Sequence, residues 1–373
     1  CLLTGRTPIR AGVPGNVGSG IGPRNGMPAS EITMAEMLKE SGYATALIGK
    51  WHLGYTEELQ PNGQGFDYAF GHLVGCIDNY SHFYFWNGPN RHDLYRNGEE
   101  IFKPGAFFPQ LCLDEAAAFI QANADQPFFL YYAMNSPHYP YQGTTAWLQY
   151  YNDKNIPYPR NLYNAFVSTT DEYIGKLLKK LEEFGVLENT IIIFQSDHGH
   201  STEERAHFGG GSAGPYRGAK GSLFEGGIRV PAIISWPGHL PQGEVRSQMA
   251  TAADWLPTIA ELCNVPAPRH KIDGTSILPL IKNQNHQDAH EVFHWTFNKQ
   301  WAIRKGDWKL LYDPQDTSLK RNAPENRADD LYYLVDLSSD IGEQNNLALK
   351  YPEIVKEMKD LHFSYLQEVE DSK

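Results

Sequence analysis

Cysteine is scarce in this chain, which has 4 in 373 residues, at positions 1, 76, 112 and 263. They are too few and too widely spaced for a disulfide scaffold or a CxxC metal site, so they leave the redox compartment open. Long apolar runs are also absent, because none approaches the ~18 residues that a membrane-spanning helix needs. The formal net charge of -12 argues against general binding to nucleic acid or to an acidic membrane, since such proteins present a basic surface. If the substrate is an anion, positive charge must be concentrated locally.

The order of the predicted elements indicates an α/β protein. Hydrophobic residues make up 41% of the chain and charged residues 20%, which is ordinary for a globular protein with a core. Apolar runs predict strands at 44–48, 127–133, 190–194 and 230–237, and helical patterns occur at 113–124, 165–184 and 254–262. This alternation predicts a mostly parallel sheet flanked by helices.

The last part of the chain has a different pattern. After a polar stretch, short runs at 291–296, 301–304 and 308–312 predict strands separated by turns, and a helix is predicted over 352–368. We therefore expect a catalytic α/β domain over residues 1–285 and a C-terminal subdomain over residues 286–373, with a small antiparallel sheet and a helix.

Polar side chains follow the predicted strands of the α/β domain. These are Lys50 with His52, then His138, then Asp197 with His198. The carboxyl ends of parallel strands lie at one edge of a sheet, so we expect these groups to converge. An adjacent carboxylate and imidazole suit a divalent cation, and Lys220 in a Gly-rich loop suits an anion beside it. The pattern predicts a metal-assisted hydrolase that acts on an anionic ester. Each group also has a structural alternative, as a turn cap, a packing residue or a solvated loop residue.

Residues 63–108 form a long aromatic and Gly/Asn-rich excursion, which is either a packing flap or a wall of the substrate site. Aromatic platforms with polar groups between them suit sugar rings, so a carbohydrate is the favoured substrate and ordinary loop packing is the alternative. The candidate substrate-binding residues are Tyr80, His82 and Arg91 in the excursion, which also contains Trp86, and His200, His207 and Arg217 after the metal motif.

Several motifs match a known family in order. They are the run from Gly42 to His52, Ser136–Pro137–His138, Ser196–Asp197–His198–Gly199, and Lys220 followed by Phe224–Glu225–Gly226–Gly227. On these motifs the chain resembles the sulfatase family of the alkaline-phosphatase-like superfamily, along nearly its whole length. The resemblance implies an alkaline-phosphatase-like fold and hydrolysis of sulfate esters.

The resemblance also concerns the start of the chain. Leu3–Thr4–Gly5–Arg6 is similar to the end of the family motif whose first Cys or Ser becomes formylglycine. That spacing implies a nucleophile on a residue preceding position 1, so Cys1 is not the nucleophile. The first pair of metal-binding aspartates would precede position 1 as well. We expect an N-terminal segment of the same protein, or another chain, to supply them.

The family resemblance implies roles for the remaining motif residues. Asp197 and His198 would hold Ca2+, although Mg2+ or Mn2+ also suit oxygen ligands, and the family more often has Asn at the position of His198. Lys50 and Lys220 would neutralise sulfate oxygens. His138 would protonate the departing alcohol, and His52 would accept a proton when sulfate is expelled. The resemblance further implies a secreted, periplasmic or lysosomal protein.

Two alternatives remain at this point. A phosphatase or phosphonate monoester hydrolase would use the same lysines and metal for another tetrahedral anion. A catalytically silent, sugar-binding relative would lack the nucleophile.

Overall fold

The structure is a computed structural model that describes residues 1–18, 26–84, 90–318 and 331–372. The α-helices are α1 (Met34–Glu40), α2 (Phe108–Ala122), α3 (Thr145–Asp153), α4 (Arg160–Glu183), α5 (Glu225–Ile228), α6 (Trp255–Leu262), α7 (Leu278–Lys282) and α8 (Pro352–Asp371). The strands are β1 (Ala44–Lys50), β2 (Tyr68–His72), β3 (Phe83–Tyr84), β4 (Arg91–His92), β5 (Tyr95–Arg96), β6 (Glu99–Glu100), β7 (Phe128–Ala133), β8 (Ile192–Gln195), β9 (Ala232–Ser235), β10 (Val292–Phe297), β11 (Gln300–Lys305), β12 (Trp308–Tyr312) and β13 (Tyr332–Asp336). Short 3-10 helices lie at Glu57–Leu59, Pro61–Gln64, Leu187–Asn189, Glu204–Ala206 and Ala252–Asp254.

A mixed five-stranded sheet in the order β6-β5-β2-β1-β7 forms the centre of the larger unit. Strand β1 pairs in parallel with β2 on one side and β7 on the other, while β5 and β6 add antiparallel edges. The middle of β1 is buried because helices cover its faces, as its apolar composition predicts for a central parallel strand. The α/β fold with a separate antiparallel sheet is therefore confirmed.

Helix α1 begins with a capping box formed by Thr33 and Glu36. The Glu36 N–H donates to Thr33 Oγ1 at 3.1 Å, and the Thr33 N–H donates to Glu36 Oε2 at 2.7 Å. This reciprocal pair satisfies two backbone donors that a helix start would otherwise leave open. Gly42 follows the helix with a φ of +87°, and the chain then enters β1.

Strand β2 lies inside the segment that we expected to be a surface excursion, so that prediction was wrong for residues 68–72. Neighbouring backbones approach each other closely here, and such an approach requires glycine. The glycines give this part of the sequence the composition of a loop, which is why the strand was missed. A Cβ on Gly71 would lie 1.7 Å from the Gly49 carbonyl oxygen, and one on Gly49 would lie 2.0 Å from the Ala133 carbonyl oxygen. These glycines allow β2, β1 and β7 to pack side by side.

Strands β7 and β8 depart from the predicted arrangement, in which both were buried members of one parallel sheet. In the part of the chain that the structure describes, β7 pairs only with β1, and β8 pairs only with β9, antiparallel. All of β7 is half-buried, and 41% of Phe194 in β8 is exposed. Phe129 of β7 and Ile193 of β8 nevertheless pack against the same apolar cluster under α6. The two strands therefore share a core without sharing a ladder.

The C-terminal unit is an antiparallel sheet in the order β10-β11-β12-β13, crossed by α8. One face, with Trp301, Ile303 and Leu310, packs against α8 through Met358. The other face packs against Leu223 and Phe224 in the segment after Lys220, with Ala302, Leu311 and Val335 contributing from the sheet. The sheet is therefore a direct neighbour of the Gly-rich loop. The boundary between residues 285 and 286 stays a prediction.

Helix α3, which we did not predict, packs on α4 and is joined to it by the Trp147 indole N–H, which donates to Glu172 at 2.8 Å. Throughout the described ranges, no helix combines the length and apolar composition that crossing a bilayer requires.

Candidate functional site

Lys50 ends β1 and is the centre of the electrostatic contacts at this edge of the sheet. Burial lowers the pKa of its ammonium group, Lys220 lowers it further, and Asp197 opposes both. Groups from β1, from the turn after β8 and from the Gly-rich loop therefore act on one another. The predicted convergence of Lys50, Asp197 and Lys220 is present in the structure.

His52 lies two residues beyond Lys50 in a left-handed conformation, with a φ of +56°. Its Nε2 lies 3.1 Å from the Val17 carbonyl oxygen, so the neutral ring carries its proton on Nε2. A Cβ on Gly75 would approach the ring to 2.9 Å, which shows why glycine stands there. Burial and then Lys50 lower the pKa of His52 to about 4. At neutral pH the ring is a neutral base with a free lone pair on Nδ1.

His138 follows β7 on the turn with two prolines. Its Nδ1 lies 2.8 Å from the Tyr139 carbonyl oxygen, and its ring centroid lies 4.1 Å from that of Tyr139. Burial lowers the pKa of His138 to about 3, with Lys50 and Lys220 adding to the effect. The Nδ1 contact leaves Nε2 as the atom that can exchange a proton.

Lys220 is positioned by its backbone and by a carboxylate. Its N–H donates to the His200 carbonyl oxygen at 2.9 Å, and its Nζ lies 3.6 Å from Glu203 Oε1. Glu203 also accepts a hydrogen bond from the Tyr139 hydroxyl at 2.5 Å. Glu203 therefore connects the His138 turn to Lys220. Sequence analysis missed it, although its place in the loop that follows Asp197 was a usable signal.

Asp197 and His198 are the candidate metal ligands. The surrounding protein disfavours the charged form of Asp197, but His198 and Lys50 outweigh this effect and lower the pKa of the carboxyl. His198 Nδ1 lies 2.8 Å from the Gly199 carbonyl oxygen, and its Nε2 lies 3.1 Å from Asp197 Oδ2. Nε2 of a protonated ring donates to this carboxylate, whereas Nε2 of a neutral ring with its proton on Nδ1 offers a lone pair, so a cation could bind between the two atoms.

The donor set suits a hard divalent cation but is small. Within the residues that the structure describes, no three His, Cys, Asp or Glu side chains form a group that could hold a metal ion. Asp197 and His198 thus offer two donors, and further ligands must come from elsewhere.

Two of the predicted substrate residues lie beside this site. His200 carries the carbonyl that binds Lys220, and burial followed by the charge of Arg160 lowers the pKa of its ring. His207 Nδ1 lies 2.6 Å from the hydroxyl of Tyr158, whose side chain is 64% exposed. Arg160, which sequence analysis missed, donates to the Gly210 carbonyl oxygen at 2.8 Å. These residues form an aromatic and basic surface next to the loop that contains Asp197.

Two other predicted substrate residues are corrected by the structure. The His82 side chain is buried, with Nε2 3.0 Å from the Ala106 carbonyl oxygen, so it belongs to the packing of the excursion. Arg217 donates from Nε to Asp316 at 2.7 Å and from Nη1 to the Glu343 carbonyl oxygen at 3.0 Å. Its guanidinium therefore joins the Gly-rich loop to the C-terminal unit instead of facing a substrate.

The remaining candidates lie in the excursion. The ring of Tyr80 stacks on Phe107 at 5.0 Å, and Arg91 lies over the rings of Tyr55 and Tyr84 at 5.6 and 5.3 Å. Apart from Tyr55, the residues in these contacts lie in the excursion, and a role for Tyr80 or Arg91 in substrate binding stays a prediction. Trp86 lies outside the described residues.

The motif order and this geometry agree with comparisons to known proteins. The family model named Sulfatase matches residues 1–265, and the model named N-sulphoglucosamine sulphohydrolase, C-terminal, matches residues 218–368. The chain belongs to the sulfatase family. The second match begins in the Gly-rich loop and extends through the C-terminal unit.

Individual relatives support the same assignment. The chain is 33% identical to N-acetylgalactosamine-6-sulfatase of Rattus norvegicus over 328 residues, which cover 83% of this chain and 60% of the relative. It is 30% identical to arylsulfatase A of Homo sapiens over 396 residues, covering 96% and 76%. The crystal structure of Ps i-CgsB in complex with k-i-k-neocarrahexaose superposes with a TM-score of 0.83 at 27% identity, covering 100% of this chain and 81% of that one. The chain thus spans about 60% of the rat relative's length.

Proposed function

We propose that the protein is a sulfuric ester hydrolase that releases sulfate from a sulfated carbohydrate. The observation that carries the proposal is the convergence of Lys50 and Lys220 with the ionised carboxyl of Asp197 and the neutral ring of His138. Two cations at one point, in a protein with a net charge of -12, form a local site for a small anion. The names of the relatives support sulfate as that anion.

We propose Ca2+ as the cation, held by Asp197 and His198 together with carboxylates from a segment of the same protein that precedes residue 1. When bound, the ion supplies Lewis-acid polarisation of a sulfate oxygen. We assign the nucleophile, formylglycine, to the same segment. Support comes from β7 and β8, which are apolar, half-exposed strands, each with one edge that has no strand partner among the described residues. A further strand at these edges would cover them and bring its own carboxyl end to the site.

The residues of this chain supply charge and proton transfer. Lys50 and Lys220 bind sulfate oxygens and stabilise the charge that develops on them. His138 first takes up a proton on Nε2 when substrate is bound and then delivers it to the departing alcohol, because its Nδ1–H is held by the Tyr139 carbonyl. The same two lysines depress the pKa of His138, and a bound sulfate offsets their charge and raises it. His52 accepts a proton on Nδ1, since its Nε2–H is held by Val17.

The surface formed by His200, His207 and Tyr158 is the proposed contact for the sugar. Its exposed aromatic ring and imidazoles suit a carbohydrate, and the rat relative is named for a sulfated amino sugar. The secreted, periplasmic or lysosomal location stays a prediction.

The test uses the full protein, co-expressed with a formylglycine-generating enzyme. Release of sulfate from p-nitrophenyl sulfate and from N-acetylgalactosamine 6-sulfate is compared with phosphate release from p-nitrophenyl phosphate. We expect sulfate esters to react faster, and Lys220→Ala and His138→Ala each to lower kcat by about 100-fold or more while the circular dichroism spectrum is unchanged. Faster phosphoester turnover would favour a phosphatase. Loss of all turnover with retained sugar binding would favour a silent relative.

A further inference from the structure

The Gly-rich loop that contains Lys220 is bound by a turn of the C-terminal unit. This turn, residues 315–317, follows β12 and makes a hydrogen bond to the loop from each of its residues. The bonds run from Ser222 Oγ to the Gln315 carbonyl oxygen at 2.6 Å, from Arg217 Nε to Asp316 Oδ2 at 2.7 Å, and from Thr317 Oγ1 to the Ala219 carbonyl oxygen at 2.9 Å. The loop is therefore attached on both sides of Lys220.

Thr317 has the most direct connection to the lysine. Its hydroxyl donates to the carbonyl of Ala219 and lies 3.2 Å from the N–H of the same residue, which directly precedes Lys220. The Thr317 carbonyl oxygen accepts from the Thr202 hydroxyl at 2.6 Å. Thr202 belongs to the loop that continues from Asp197. One residue of the C-terminal unit thus joins the lysine loop to the loop of the candidate metal ligands.

The Gly-rich loop needs such attachment because its glycines allow the backbone many conformations. Gly218 and Gly221 flank the lysine, and each has a φ of +87°, a conformation that glycine adopts freely. Neither residue belongs to a helix or strand, so no regular ladder holds this backbone. Besides the Lys220 N–H bond to His200, the peptide next to the lysine is held by Thr317 and by the Ser222 N–H, which donates to the Ala219 carbonyl oxygen at 3.0 Å. Thr317 supplies the bonds to this peptide that come from the C-terminal unit.

We propose that Thr317 is a positioning residue for Lys220. Its hydroxyl fixes the Ala219–Lys220 peptide so that the ammonium group meets the anionic group of the substrate at the correct distance from Asp197. This role rests on the proposed function, because it acts through the anion-binding lysine. Charge stabilisation is sensitive to displacements of about 1 Å or less.

The test compares Thr317→Val with Thr317→Ser and with Thr296→Val in the full protein. Thr317→Val removes the hydroxyl at nearly constant volume, and Thr317→Ser retains it. Thr296 is the matched control, because it lies in β10 of the same unit and its hydroxyl has no hydrogen-bond partner among the described residues. We expect kcat to fall about tenfold in Thr317→Val, and to stay within about twofold of the unmodified protein in the other two.

A double-mutant cycle separates positioning from general stability. In a Lys220→Ala background, Thr317→Val is expected to have no further effect on kcat, because its target is gone. Equal losses in both backgrounds would overturn the proposal. If Thr317→Val does not fold, Thr202→Val removes the bond to the Thr317 carbonyl, and its loss of kcat must also vanish in the Lys220→Ala background.

Hydrogen exchange gives a readout that does not need turnover. The Lys220 N–H is bonded to His200, and its exchange is expected to accelerate about tenfold in Thr317→Val and not in Thr296→Val. If the protein releases no sulfate but this exchange is accelerated, the proposed function fails and the structural link stands. Unchanged exchange at Lys220 would overturn the link itself.

Discussion

Lys309 of β12 is fully buried, and replacing it tests how much a buried ion pair contributes to stability. Its Nζ lies 2.8 Å from Glu225 Oε1 and 2.9 Å from Glu343 Oε1, and both carboxylates are buried. The Glu225 N–H also donates to Glu343 Oε2 at 2.6 Å. Because Glu225 begins α5 just after the Gly-rich loop, this cluster joins the Gly-rich loop to the C-terminal sheet.

Lys309→Met removes the cation and keeps an apolar side chain of similar length. Glu343 is then left without its cation and Glu225 keeps only Arg229, whose Nη1 lies 3.5 Å from Glu225 Oε2. Removing one partner of a buried ion pair destabilises a protein by about 3–5 kcal/mol. Burial already raises the pKa of Glu343, whereas Lys309 outweighs burial and lowers that of Glu225. Without the lysine, burial is opposed less at both carboxyls, so both folded-state pKa values rise and the folded state binds more protons. The loss of stability is therefore largest at neutral pH and shrinks as the pH falls to about 5 and below.

The measurement is urea unfolding of Lys309→Met near neutral pH and at about pH 5. Lys305→Met is the matched control, since Lys305 lies in the adjacent strand β11 and pairs with Glu357 at an exposed position. We expect no measurable change in its urea midpoint. Adding Glu343→Gln to Lys309→Met should recover part of the stability, because one unpaired charge is removed. A loss below about 1 kcal/mol in Lys309→Met, or one that grows as the pH falls, would refute the reasoning.

Three further predictions concern the α/β unit. The pKa values of His52 and His138 are lowered to about 4 and about 3. As the pH falls below about 6.5, the unfolded state therefore binds protons before the folded state does, and Tm should fall steadily. A Tm that stays constant between about pH 7 and 5 would contradict the buried, neutral state of these rings. Gly49→Ala should abolish soluble expression because its Cβ would lie 2.0 Å from a carbonyl oxygen of β7, whereas Gly175→Ala, which meets nothing within 4 Å inside α4, should be neutral or stabilising. Removing Ca2+ with a chelator should lower Tm in the full protein, and Asp197→Asn should make Tm insensitive to the chelator; equal sensitivity in the variant would exclude Asp197 as a ligand.

Local pattern was enough to predict helices α2, α4, α6 and α8 and strands β10 to β12 of the C-terminal unit, whereas β13 was missed. The capping pair of Thr33 and Glu36 places the start of α1, and the apolar run that follows becomes β1. Strands β10 to β12 match the predicted runs because each has its own turn signals and its own alternation. These features depend on neighbours in the chain, so a sequence reveals them.

Contacts between distant segments decided the rest. Strand β2 was missed because glycine at position 71 is required by the nearby backbone of β1. Local composition does not reveal that contact. His82 and Arg217 have the same chemistry as substrate-binding residues, and only packing partners far along the chain show that they are structural. Thr317 has no local signal at all, since its significance lies in a bond to a residue 98 positions away.

The amino-acid sequence by itself determined the family, the α/β class with its antiparallel C-terminal sheet, and the residue types that follow the strands, because these depend on local pattern and motif. Tertiary structure alone decided which strand edges pair, which charges are buried together and which loop holds Lys220. Those outcomes depend on the balance of burial, hydrogen bonding and charge between segments that meet only when the chain folds.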